Sequence, residues 1–301
     1  MAKAIFTTKI SSSYDDQPES RYHFPKTYLN QVKQTVGDWI VYYEPKRSEG
    51  DRLGGRQVYF ATARVKEITQ DSQRPDHFYA LVDSYIDFVN PLPFREGTDY
   101  YESALKKDDD TMNKGSFRRA VRILQDHEYE SIMAAAFGII LAEEGGVRKK
   151  NDSVLYGFSD QPQEDFQRPI VESVVKRPFR DAAFSKAVKD IYHQTCSMTG
   201  LQIINGGGRS EVQAAHIKPV AQNGPDTVRN GIALCSTVHW MFDRGLLSIN
   251  DDLTILKAKG KIPPPIERLL NPSGKLIAPK ELVYAPHSNY LKFHRETIFK
   301  G

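Results

Sequence analysis

Long apolar runs are what this sequence most plainly lacks. No stretch of its 301 residues approaches the roughly 20 apolar residues that a membrane-spanning helix requires, so no membrane partner is expected. The opening MAKAIFTTKI has neither the apolar core nor the small-residue cleavage site of a secretory signal. Cysteine is scarce as well. Cys196 and Cys235 are the only two, too few for a disulfide framework in a chain of this length, and a reducing cytoplasm is the expected compartment. No internal repeat or low-complexity tract is present, which excludes solenoids and fibrous arrays. Net charge of either sign is also small, at +3.

That small net charge conceals an asymmetry. Residues 176–301 hold 18 Lys+Arg against 10 Asp+Glu, whereas residues 1–175 hold 23 against 28. A basic second half suits a polyanionic partner such as nucleic acid; a solvated charged surface gives the same count. Hydrophobic residues make up 40% and charged residues 26%, ordinary for globular protein, and the length suits two domains.

The first half reads as mostly β. AIFTTKI near the start, GDWIVYY (37–43), RQVYFATARVKEI (56–68) and DHFYALVDSYIDFV (76–89) are rich in β-branched and aromatic residues. GDRLGG (50–55) reads as a hairpin tip, and YHFPKTYLNQV (22–32) turns at Pro25 into a short helix. Two helices are expected to follow, SFRRAVRIL (116–124), capped by Ser116, and EYESIMAAAFGIILAEE (128–144), stopped by Gly145 and Gly146. The pattern suggests a small barrel with helices appended. The polar stretch 145–169, with scattered Gly and Pro, reads as a linker. We therefore expect domains at 1–145 and 177–301, with 146–176 between them.

The second half opens on a helix, 177–195, with Phe184, Val188, Ile191 and Tyr192 on one face. LQIIN (201–205) and SEVQAAHI (210–217) are expected to pair as a hairpin across the glycines 206–208. STVHWMFDRG (236–245) is expected to form a helix ended by Gly245. His216 then ends the second strand. His239 and Asp243 share a helix face, being four residues apart.

AAHIKP, RNGIALC and HWMFDRG, in this order and spacing, resemble the three motif segments of a restriction-type HNH nuclease subfamily, and 177–249 resembles its ββα-metal domain. The resemblance implies hydrolysis of DNA phosphodiesters with one divalent metal ion per site, Mg²⁺ or Mn²⁺. In that reading His216, Asn230 and His239 are the catalytic set. His216 is the general base, because a neutral imidazole accepts a proton near pH 7. Asn230 bridges backbone groups and holds the loop that positions the histidine. His239 is a metal ligand and Asp243 joins it. The metal neutralises charge on the phosphoryl oxygens and stabilises the leaving 3′ oxygen.

One position departs from the pattern. Many HNH enzymes carry a metal-binding Asp or His directly before the base, and here that residue is Ala215. Gln213, on the same strand face, is the candidate to replace it, reaching the metal directly or through water, with Glu211 next. Cys196 and Cys235 resemble half of the zinc knuckle of some HNH domains. Neither has the C-x₂-C partner of a four-ligand site, so no structural zinc is expected and both read as small buried residues. His23, His77 and His127 read as structural or surface residues. NYLKFHRETIF (289–299) resembles a closing helix of the subfamily, in which His294 packs or touches phosphate.

SSSYDD (11–16), RYHFP (21–25), GDWIVYYEP (37–45) and VYFATARV (58–65) resemble the EVE domain, a PUA-like β-barrel related to readers of modified bases. The combination resembles the bacterial modification-dependent EVE–HNH restriction endonucleases. It implies an α+β chain with an N-terminal PUA-like (EVE) β-barrel bearing appended helices, a linker, and a C-terminal HNH ββα-metal domain. The implied substrate is double-stranded DNA containing 5-methylcytosine or 5-hydroxymethylcytosine, in the bacterial cytoplasm. Such readers flip the base into an aromatic-lined pocket. Trp39, Tyr43, Tyr14 and Asp15 are the candidates to line it. Trp39, Val41 and Tyr43 share one strand face, Ile40 and Tyr42 the other, and the sequence leaves open which is core. Two other readings stand beside this one: an HNH endonuclease reading unmodified sequence, and a non-catalytic DNA-binding module. One HNH site cuts one strand, so a double-strand break needs a homodimer or sequential nicks.

Overall fold

The computed structural model describes residues 2–8, 14–46, 55–107, 109, 111–151 and 177–301. The chain divides into two compact units, one of Met1–Lys46, Gly55–Asp83 and Phe88–Ala183, the other of Arg47–Gly54, Ser84–Asp87 and Phe184–Gly301.

In the first unit, strand β1 (Lys3–Thr7) is followed by β2 (Arg21–Pro25) and α1 (Leu29–Gln34). Then come β3 (Trp39–Glu44), β4 (Val58–Gln70) and β5 (His77–Pro93). A small hairpin of β6 (Arg95–Glu96) and β7 (Asp99–Tyr100) leads to α2 (Lys114–Phe117), β8 (Val121–Leu124) and α3 (Asp126–Asn151). Six of these strands form a mixed sheet in the order β2-β5-β4-β3-β1-β8, with β1 parallel to β3 and antiparallel to β8.

The sheet is curled. Tyr22 on edge strand β2 donates its hydroxyl to the carbonyl of Thr7, 3.0 Å away at the end of β1, and its ring centroid lies 4.6 Å from that of Phe6. Side chains of edge strand β2 and of β1, four places along the strand order, therefore meet inside the curl, around Phe6, Tyr22 and Tyr42. Every residue of β3 is buried. Ile40 and Tyr42 face the interior of the curl. Val41 is opposite Thr62, whose hydroxyl lies 3.0 Å from that of Tyr129 on α3, so the second face is covered by that helix. A strand buried on both faces reads as a continuous apolar run, which is why alternation along 39–44 does not choose a core face.

Two expectations for this unit change. SFRRAVRIL is not one helix: α2 ends at Phe117 and 121–124 extend as β8 beside β1. Pairing with an otherwise open sheet edge outweighs the weak helical preference of a short segment. The cap is Asn113, whose side chain accepts from the Ser116 amide, instead of Ser116 itself. Gly145 and Gly146 do not end α3, which runs to Asn151; glycine costs about 1 kcal/mol in a helix interior, too little to force a stop. The rest of the expected linker, 152–176, and most of the hairpin tip at 50–55 lie outside the described residues.

The second unit takes α4 (Arg177–Ile191) from Phe184 onward, β9 (Gln213–His216), β10 (Gly231–Leu234) and α5 (Ser236–Asp243). It closes with β11 (Leu247–Ile249), β12 (Ile255–Lys257), α6 (Pro264–Leu269) and α7 (Ser288–Thr297). Phe184, Val188 and Tyr192 enter a core shared with Ala215, Ile232, Val238 and Phe242. The expected hairpin is only a trace, an isolated bridge between Ile204 and Ser210. Instead β9 pairs antiparallel with β10, from Gly231–His216 to Leu234–Gln213. RNGIALC supplies the second strand of the ladder, and His216 ends the first. The segment 231–234 is fully buried, so the core selects it over the exposed, glycine-interrupted 201–208.

Candidate active site

Strand β9, the 3₁₀ turn Val228–Asn230 before β10, and helix α5 carry the candidates of the second unit, and the structure gathers them into two groups. The first is built around His216. Its Nε2 lies 3.0 Å from Oδ1 of Asp226, and its ring stacks on Phe184 of α4 with centroids 3.8 Å apart and planes 12° apart. The imidazole side chain is 18% exposed, while the Asp226 side chain is 0% exposed.

Asn230 ties into the backbone around this group. It is buried, its side-chain amide donates to the carbonyls of Lys218 (2.9 Å) and Pro225 (3.0 Å), and its Oδ1 accepts from the Lys218 amide at 2.8 Å. Its own carbonyl accepts from Ile217 at 2.8 Å. The side chain thus ties the chain just after His216 to the chain just before Asp226. Each such bond is worth about 1 kcal/mol net, and more is lost if one partner is left buried and unpaired.

The second group is built around His239. Its Nδ1 lies 2.8 Å from Oε1 of Gln213, and its Nε2 lies 3.4 Å from Oδ2 of Asp243, one helical turn on. An amide oxygen only accepts, so Nδ1 donates to Gln213, while Nε2 faces the Asp243 carboxylate. Gln213 is therefore placed as the partner that orients His239, as the outer nitrogen of a metal-bound histidine usually requires. Glu211 Oε1 accepts from the Ser236 amide at 2.8 Å and so caps the first turn of α5. Val238, Met241 and Phe242 bury the opposite face of that helix.

His239 Nε2 and the Asp243 carboxylate are nitrogen and oxygen donors of the kind Mg²⁺ or Mn²⁺ accepts. Among the described residues no group of three His, Cys, Asp or Glu side chains converges. Two protein donors leave the remaining positions of an octahedral ion to water and phosphate, and on that count the residues fit a hydrated divalent cation.

Seven further residues singled out in the sequence have defined surroundings. His294 is buried on α7, with Nδ1 2.8 Å from the Ser248 hydroxyl, Nε2 3.2 Å from the Phe242 carbonyl and its ring stacked on Phe242; it packs and does not meet phosphate. Cys196 and Cys235 are both buried and free, and their thiols are hydrogen-bonded to each other, a contact that with burial pushes the Cys235 thiol up. In the first unit Trp39 and Tyr43 are buried in the sheet. Tyr14 is 39% exposed beside the rings of His23 and His77, and exposed Asp15 pairs with Arg21. The four base-pocket candidates thus separate into two buried and two accessible residues.

Asp226 and Phe184 are the neighbours of His216 that sequence reasoning missed. Asp226 sits in a Gly-Pro-Asp-Thr turn where an acidic residue is unremarked, and Phe184 is one of four apolar residues on a helix face, with nothing to distinguish it.

Comparison with known proteins agrees with the second unit. Residues 196–250 match a family model described as HNH_2, HNH endonuclease, so the chain contains an HNH endonuclease domain. No curated protein matches. Among solved structures the chain is similar to a modification-dependent TagI restriction endonuclease, at 16% identity and a TM-score of 0.33, covering 97% of this chain and 81% of that one. It is also similar to the Type IV phosphorothioation-dependent restriction endonuclease ScoMcrA, at 12% identity and a TM-score of 0.19, covering 79% of this chain and 52% of that one. No described helix is long and apolar enough to cross a membrane.

Proposed function

We propose that the protein is a modification-dependent DNA endonuclease in which 177–301 cuts and an EVE-like domain at 1–145 reads 5-methylcytosine or 5-hydroxymethylcytosine. The observation that carries the cutting half is the grouping just described: a held imidazole at 216, an Asn230 staple, and a nitrogen–oxygen donor pair at 239 and 243, all inside the span with the HNH match.

In this reading His216 takes a proton from water as the water oxygen bonds to phosphorus, and the bond from phosphorus to the 3′ oxygen breaks. Stacking on Phe184 and the contact with Asp226 hold the imidazole through that transfer, so little reorganisation is needed at the moment of reaction. His239 and Asp243 would hold a divalent cation, which supplies neutralisation of charge on the phosphoryl oxygens. Gln213 keeps the His239 ring turned for that task.

For the reading half, a base inside a duplex is inspected only after it is flipped out, at a cost of a few kcal/mol that aromatic stacking returns at about 1–3 kcal/mol per base. Tyr14 and Asp15 are the accessible members of the candidate set and the ones we assign to base contact. Trp39 and Tyr43, buried in β3, belong to the sheet itself.

Incubation with Mg²⁺ or Mn²⁺ and plasmids with and without methylated cytosine tests the proposal. Cutting confined to the modified plasmid is expected. Cutting of both points to an HNH enzyme reading unmodified sequence, and binding without cutting points to a non-catalytic DNA-binding module. His216→Ala is expected to abolish cleavage while DNA binding persists; near-normal cleavage by that variant would remove His216 as the base.

A further inference from the structure

Asp226 has no part in the scheme above beyond its contact with His216, yet its position demands an explanation. A carboxylate side chain with no solvent exposure is costly to bury unless it is paired. One of its partners is the nitrogen of the one residue on β9 expected to move a proton. When that carboxylate is ionised it only accepts hydrogen bonds, and Nε2, 3.0 Å away, is then the nitrogen that carries the imidazole proton. The other nitrogen, Nδ1, has no protein partner among the described residues, and the ring is partly open to solvent.

The surroundings fix the ring in each of its degrees of freedom. Phe184 fixes its plane by stacking. The carboxylate fixes its rotation within that plane. Asn230 fixes the separation of the two residues, because its amide donates both to Lys218, two residues after His216, and to Pro225, the residue before Asp226.

Resting on the assignment of His216 as general base, we propose that Asp226 is a positioning residue that holds the His216 proton on Nε2 and so leaves the Nδ1 lone pair to accept the proton of the attacking water. Asp226 does not itself take up a proton or touch the substrate. Its carboxylate selects one tautomer of the neutral ring and stabilises the imidazolium formed as water is deprotonated.

The test is Asp226→Asn in the full chain, read in two ways. The first is the ¹⁵N spectrum of histidine-labelled protein, with the His216 signals identified by their loss in His216→Ala. The wild type is expected to show the Nε2–H tautomer. In Asp226→Asn, where the side-chain amide can donate to Nε2, the proton is expected to move to Nδ1. The second is cleavage kinetics on methylated plasmid, where kcat is expected to fall by about 100-fold or more, in the manner of a wrong-tautomer variant, with KM little changed. A wild-type spectrum with the proton on Nδ1 overturns the proposal without reference to any variant, so a poorly folded Asp226→Asn does not leave it open. A wild-type rate in Asp226→Asn, with His216→Ala inactive, overturns the role of Asp226 and leaves the base in place. Full activity of His216→Ala instead removes the base, whatever Asp226→Asn does.

Discussion

At the scale of single residues, the two halves of the chain behave differently toward substitution. Trp39 is buried in β3, and truncating a core tryptophan costs about 3–5 kcal/mol. Trp39→Ala is therefore expected to lower the melting temperature and to depress cleavage of the modified plasmid in step with the loss of folded protein. Tyr14 lies on the surface, where substitutions usually stay within about 0.5 kcal/mol. Tyr14→Ala is expected to leave the melting temperature unchanged and to reduce the ratio of cleavage on modified over plain plasmid. An unchanged ratio would exclude Tyr14 from base contact. The residues at 216, 230, 239 and 243 stand out in the sequence because few side chains suit the chemistry that their motifs imply. Asp226 was not legible, since an acid in a turn becomes a partner only when the chain returns to place it beside His216.

At the scale of elements, the second unit depends on how closely α4 approaches the ladder. Gly231 stands opposite His216 in the β9–β10 pairing. A Cβ there would lie 2.4 Å from Cγ2 of Val188 and 3.0 Å from the ring of Phe184. Gly231→Ala is thus expected to push α4 outward and lift Phe184 from the imidazole. Overpacking of this kind costs about 1–3 kcal/mol, and cleavage should fall further than stability alone explains. A variant with unaltered kcat would show that stacking on Phe184 is dispensable. Gly245 has the same character at the end of α5. Its φ is +72°, and an added Cβ would sit 2.0 Å from the Ile298 carbonyl oxygen, so only glycine lets the residues after α7 close on that helix. The boundaries of α5 followed from its sequence for this reason. The pairing of β9 did not, because the choice between 201–205 and 231–234 as its partner depends on which strand the core covers.

At the scale of the whole molecule, acid stability has an identifiable contributor. Burial of His294 holds its imidazole at about 4, against an ordinary 6.5. The unfolded chain binds a proton there below pH 6.5, and the folded chain does not until about pH 4. This contribution is complete above pH 6.5 and is lost as pH falls toward 4, by up to ~3 kcal/mol. Melting temperatures measured at pH 7 and pH 5 should fall more in the wild type than in His294→Gln, which cannot titrate. Equal falls would show that the ring is accessible to protons in the folded state.

Local chemistry was decided by the sequence alone: two compositional halves of opposite charge, strands rich in β-branched and aromatic residues, and three short motifs whose side chains suit phosphodiester hydrolysis. These follow from residue type and spacing over a few positions, where backbone geometry is nearly forced. The tertiary structure decided the rest. It buried both faces of β3, turned 121–124 into an edge strand, gave β9 its partner, set Gln213 against His239 and enclosed Asp226 beneath His216. Each of these depends on burial and pairing between residues far apart in the chain, and such contacts acquire their energy only when water has been excluded from between them.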